Sequence, residues 1–204
     1  MTAAGALRAV IGVVTVLALA ACDPPAPPAG TPMTRPPVSV PIAPDADELA
    51  YLAHMIEHHR QALRMAAMLC GDGQVPYRIK NIADHMAATQ AAEITDMTEF
   101  LNAWAKPVRV HPGGMLTEAQ LSSLKVSSGP AAGRRFLELM IIHHEDAAEM
   151  SVAMLPQARN PWVISLARHV IADQRPEIAT MRRVLTAGGG AAPAPGKVVR
   201  PGVA

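Results

Sequence analysis

Two stretches of the chain spell one pattern: MIEHHRQALRMA over residues 55–66 and MIIHHEDAAEMS over residues 140–151. In both, Met-Ile-x-His-His is followed by a Met six positions after the second His. The correspondence continues downstream. His85, Gln90, Glu93-Ile94 and Met97 recur as His169, Gln174, Glu177-Ile178 and Met181, with identical internal spacing. Apolar residues in all four segments recur at steps of three and four, the period of one helical face. The chain therefore reads as two helix hairpins of one duplicated pattern. Neither hairpin can bury its apolar face alone, so together they predict an all-α four-helix bundle.

Local signals set the helix limits. Asp45–Asp47 suit the start of a first helix, and Cys70-Gly71-Asp72-Gly73 stops it. Pro76 fits the first turn of a second helix that runs to about Trp104. Thr117-Glu118-Ala119-Gln120 matches a capping box for a short connecting helix to about Val126. A further long helix covers about Ala131–Leu155 and is closed by Pro156. The last opens at Asn160-Pro161 and runs to about Thr186, with a kink or break expected at Pro176.

The ends read differently. Residues 1–22 carry one charge, Arg8, then an apolar run from Ala9 to Ala21, which is too short to span a bilayer comfortably. The ending Leu19-Ala20-Ala21-Cys22 resembles a bacterial lipobox. Residues 1–22 are thus read as a lipoprotein signal peptide, with Cys22 as the lipidated residue. Nine of residues 23–44 are proline, which predicts a disordered spacer holding the domain, residues 45–187, away from a membrane. Residues 188–204, rich in Gly, Ala and Pro, read as a disordered tail. With Cys22 lipidated, Cys70 is expected to lack an intrachain partner.

Composition narrows the function. The formal net charge is +1, so charge implies neither nucleic acid nor an anionic membrane surface as a partner. No Glu is followed by His three positions later, which removes the di-iron carboxylate bundle. His-Glu-x-x-His and Gly-x-Ser-x-Gly are absent as well. The chain does hold twelve methionines and eight histidines. Thioether and imidazole together suit copper, Cu(I) especially. On the helical faces each His-bearing helix is paired with one carrying a Glu on its core-facing side. A buried carboxylate needs a partner, and an imidazole N–H is a suitable one. The residues alone allow two readings: a structural Glu–His network, or carboxylates that orient histidines whose other nitrogen holds a metal. His54 and His58, one turn apart, could grip Zn(II) or Cu(II). Met68, Cys70, His111 and Met115 are weaker candidate donors.

MIEHHRQALRMA, FLELMIIHHEDAAEM and HPGGMLTEAQLSSL resemble domain-of-unknown-function family 305 (DUF305), a ferritin-like group of small exported bacterial proteins. The resemblance covers about residues 45–186. It implies a ferritin-like four-helix bundle and, for some members, periplasmic copper binding through Met and His. Carried over by residue, the metal candidates are Met55, His58, His59 and Met65 in the first copy. Those in the second are Met140, His143, His144 and Met150. Gln90, Glu93, Gln174 and Glu177 stand behind them as orienting groups. The residue before each His pair is commonly Pro in the family, but here it is Glu57 and Ile142.

The leading expectation is a non-enzymatic cell-envelope lipoprotein that binds copper, or a similar soft metal, for buffering or resistance. The alternative is a non-catalytic helical-bundle interaction protein with structural His–Glu pairs. The expected partners are a membrane, through lipid on Cys22, and an envelope protein. The Ala- and Val-rich helices also suit a homodimer.

Overall fold

The structure, a computed structural model, describes residues 42–104 and 115–187. The signal segment with Cys22, nearly all of the Pro-rich spacer, His111 and the tail from 188 onward lie outside the described residues. Those described form five helices and no strand: α1 Ala46–Ala67, α2 Tyr77–Trp104, α3 Glu118–Lys125, α4 Gly129–Met154 and α5 Pro161–Ala187.

The helix ends follow from their caps. Asp45 accepts from the backbone N–H of Asp47 and Glu48, and Glu48 Oε2 accepts from Asp45 N in return. Glu48 is buried because its other oxygen accepts from the N–H groups of Arg159 and Asn160. Those bonds tie the start of α1 to the turn between α4 and α5. Thr117 and Gln120 form the expected capping box. Asn160 caps α5 through Oδ1, which accepts from Trp162 N and Val163 N. The fourth helix begins at Gly129, two residues before the expected start. There φ is +56°, and a Cβ would meet the Gln74 side chain at 3.3 Å. Its N–H donates to Asp72 Oδ2 at 2.6 Å, joining the two inter-helix turns.

The expected break at Pro176 is absent; α5 runs through it unbroken. Pro176 and Ala172, the residue whose carbonyl loses its helical partner, both lie on the exposed side. Water can satisfy that carbonyl, so the helix does not have to end there. Cys70 is disulfide-bonded, its second sulfur outside the described residues; the expectation that it lacks an intrachain partner concerns the chain with Cys22 lipidated, in which a bond between the two cysteines cannot form.

Within each hairpin the helices pack closely, α1 on α2 and α4 on α5. The hairpins meet through α1 and α4, which run antiparallel, as Tyr51 meets Ser151 (2.8 Å) and His58 meets His143. By contrast, α2 and α5 have little backbone contact.

The apolar core falls into two clusters. One holds Ala62, Met65, Ala83, Met86, Met140 and Met181 around Phe136. The other holds Met55, Met97, Ala147, Ala167 and Val170 around Leu52 and Leu166, with Met150 packed against it. Along each of the four long helices the residues between the two clusters are polar: His58 and His59, Gln90 and Glu93, His143 and His144, Gln174 and Glu177. A polar layer thus divides the core at mid-height.

Candidate metal centre

Each long helix brings polar side chains to this layer because its apolar stripe is interrupted at the same height. His58, His59, His143 and His144 are all within 1% of fully buried. The rings of His58 and His143 face one another with centroids 3.6 Å apart and planes tilted by 35°. Neither nitrogen of either ring makes a hydrogen bond of good geometry. Asp146 Oδ2 lies 3.4 Å from His58 Nε2, and the His58 backbone lies beside His143.

Burial drives both imidazoles well below the usual histidine range, and the neighbouring histidines push in the same direction. Both rings are therefore neutral at pH 7, each with a lone pair to offer. A buried polar atom without a partner costs about 1–3 kcal/mol. Four such nitrogens in one place are either a strain reservoir or a site for a cation that binds imidazole.

His59 and His144 are held differently. His59 Nε2 donates to Glu93 Oε2 at 2.7 Å, and His144 Nε2 donates to Glu177 Oε2 at 2.8 Å. Each bond closes within its own hairpin. With Nε2 carrying the proton, Nδ1 of a neutral ring is a lone pair, and both Nδ1 atoms are buried without a partner. A carboxylate on one ring nitrogen and a vacant lone pair on the other is the arrangement found behind metal-bound histidines.

Glu93 serves a second histidine. Its Oε1 lies 3.2 Å from His169 Nε2, which is also 3.2 Å from Asp173 Oδ2. Burial raises the Glu93 carboxyl, but hydrogen bonds from His169 and His59 outweigh it and hold the pKa at about 2. The same Glu93 bond, followed by the charges of Asp173 and Asp96, raises His169 despite its partial burial.

The two motifs do not gather into one site each. Met55 and Met65, ten positions apart on α1, fall in opposite clusters, above and below the histidines. Met65 shares its cluster with Met140, while Met150 packs on the cluster of Met55. The motifs interleave because α1 and α4 are antiparallel. Met97 and Met181 are fully buried in the clusters of Met55 and Met140 respectively.

Gln90 and Gln174 are buried, each with an unpartnered Oε1, and neither bonds a histidine. His54 also has a buried, unpartnered Nε2. Met68 packs on the edge of the first cluster.

Sequence reasoning passed over Asp146 and His169 as site residues. Asp146 occupies the repeat position of Gln61, whose side chain instead bonds both backbone groups of Leu116 (3.0 and 2.9 Å). The signal for His169 was its carboxylate four residues on, Asp173, on the same helical face.

The DUF305 profile, described as a domain of unknown function, matches residues 48–185. No curated protein matches the chain. Among solved structures, a DUF305 fragment from Deinococcus radiodurans is 33% identical, with a TM-score of 0.65; the match covers 71% of this chain and 98% of that one. A Streptomyces coelicolor protein, described as a candidate secreted member of DUF305, is 26% identical with a TM-score of 0.68. The match covers 73% of this chain and 96% of that one. CopM in its Cu(I)-bound form is 25% identical with a TM-score of 0.60, over 70% of this chain and 98% of CopM. CopM has also been solved in Ag-bound, Cu(II)-bound and apo forms.

Proposed function

The chain belongs to the DUF305 family, and on that premise we propose that it is a cell-envelope lipoprotein that binds copper, or a similar soft metal. Its role on this reading is buffering or resistance rather than catalysis. The observation that carries the reading is the His58–His143 pair: two neutral, buried imidazoles face to face without good hydrogen bonds. Five fully buried methionines flank the layer, Met55, Met65, Met97, Met140 and Met181, with Met86 nearly as buried. Imidazole with thioether is a donor set for Cu(I). His58, His59, His143 and His144 would supply the nitrogens; Met55, Met65, Met140 and Met150 would supply sulfur. Glu93 and Glu177 would hold the rings of His59 and His144. CopM, a relative of the same fold, has a Cu(I)-bound form, which supports the same chemistry here.

Titration of the chain with Cu(I) against a competing chelator tests this. The expected uptake is at least about one ion per chain, lost in His58→Ala/His143→Ala. Uptake below that level sinks the proposal.

One observation favours a second reading. The bonds of His59 to Glu93 and of His144 to Glu177 already join each hairpin. The layer could then serve only to set the bundle's register in a protein that binds an envelope partner. On this reading the same double variant loses stability and changes no metal affinity.

Anchoring rests on Leu19-Ala20-Ala21-Cys22. Among the described residues no helix is long and apolar enough to cross a membrane, so attachment of the folded domain would be through lipid on Cys22.

A further inference from the structure

We propose that the chain carries a second, chemically distinct cation site on the seam between α2 and α5, formed by Glu93, His169 and Asp173, for a borderline divalent ion such as Zn(II). One donor atom from each of the three lies within 4.8 Å of the other two. His169 Nε2 stands 3.2 Å from both Glu93 Oε1 and Asp173 Oδ2, so a proton on that nitrogen would face two carboxylates at once. A divalent ion can take the place of that proton, leaving two carboxylate oxygens and one imidazole as its ligands and solvent at the remaining position.

Three features distinguish this from a chance cluster. Glu93 is 93% buried, yet its Oε1 is directed outward at His169 because Oε2 is fixed by His59 at 2.7 Å. A ligand carboxylate already anchored from behind loses little freedom on binding. The side chains of His169 and Asp173 are 38% and 43% exposed, so the ion has a path from solvent. Finally, Asp96 acts on both Glu93 and His169, so three carboxylates surround one imidazole and favour a cation.

The duplicated half provides an internal comparison. The positions equivalent to His169, Asp173 and Glu93 are His85, Thr89 and Glu177. His85 and Glu177 line a cavity of about 430 Å³ farther along the same α2–α5 seam. There Thr89 replaces the third ligand, so the duplication supplied two similar positions on the seam, and of these the one at Glu93 has the full donor set. Hard oxygen and borderline nitrogen donors without sulfur select against Cu(I). The site shares Glu93 with His59 but includes neither His58 nor His143, so it can be tested apart from that pair.

The full chain, in detergent and freed of metal, is titrated with Zn(II) by calorimetry, and with Co(II) followed by visible absorption. The expected result is a site whose affinity drops at least about tenfold in Asp173→Asn and in His169→Ala. His58→Ala/His143→Ala is expected to leave it in place. Asp173 is nearly half exposed, so its variant tests the ligand without disturbing the core. Absence of Zn(II) uptake by the unaltered chain overturns the proposal. So does a Zn(II) affinity unchanged by both Asp173→Asn and His169→Ala.

Discussion

The imidazoles of His58 and His143, 85 residues apart in sequence, lie 3.6 Å apart at the centre of the bundle, and neither forms a good hydrogen bond. Desolvation without compensation makes this pair a cost to the folded chain. Replacing both with an apolar residue of similar volume removes that cost. His58→Leu/His143→Leu is expected to stabilise the metal-free protein by about 1–3 kcal/mol, read as a higher urea midpoint at unchanged m-value. The same variant should lose Cu(I) uptake. A lower midpoint would mean that the pair contributes to the fold as a polar contact.

Glu93 and Glu177 hold equivalent places in the repeat, yet their substitutions should differ. Glu93 serves His59 and His169, whereas Glu177, less buried, serves His144 alone among the described residues. Removing one partner of a buried pair leaves the other unpaired and costs about 3–5 kcal/mol. Glu93→Gln should approach that range, and Glu177→Gln should cost about half as much. Chemical denaturation of the two variants compares them directly.

The layer also sets an acid limit. His58 and His143 fold with their pKa depressed below 6.5, so the unfolded chain binds protons that the fold refuses. Their contribution is constant above 6.5, and stability falls as the pH drops below that value. The slope reaches about 1.4 kcal/mol per pH unit for each proton. Glu93, depressed from 4.5 to about 2, contributes fully above 4.5 and is lost between 4.5 and 2. His169 has the opposite sign: its raised pKa stabilises below 6.5 and is lost as the pH rises through the folded value. Melting temperatures of the metal-free protein from pH 7.5 to 5 should therefore fall. His58→Leu/His143→Leu should flatten that fall.

A lipid on Cys22 and an intrachain disulfide from Cys70 to Cys22 exclude one another, because the chain has two cysteines and both bonds need the same sulfur. The membrane-bound form should therefore show a diacylglyceryl mass on Cys22 and a Cys70 not joined to it. Cys22→Ser should release the protein from the membrane fraction. An unlipidated mature chain by intact mass would contradict the anchor.

Much of the fold was legible because its signals are local. Asn160-Pro161, Thr117 with Gln120, and Asp45 each start a helix through bonds within a few residues. The stripe containing Glu93 and Glu177 was readable from a period of 3.6, as was their placement opposite the histidines of the same hairpin. At Pro176 the helix does not end, because the consequence of a proline depends on whether the carbonyl it strands faces water, and that is decided by the bundle.

The four long helices, the doubled hairpin and the donor types offered at mid-height all follow from short-range periodicity and capping, and so are written in the order of residues. Which donors meet is a matter of how the helices pack. The antiparallel packing of α1 on α4 brings His58 to His143, sends Met55 and Met65 to opposite clusters, and turns one oxygen of Glu93 toward His169 on another hairpin. Those pairings depend on the register between helices distant in sequence, and a helical period specifies a face but not the partner that covers it.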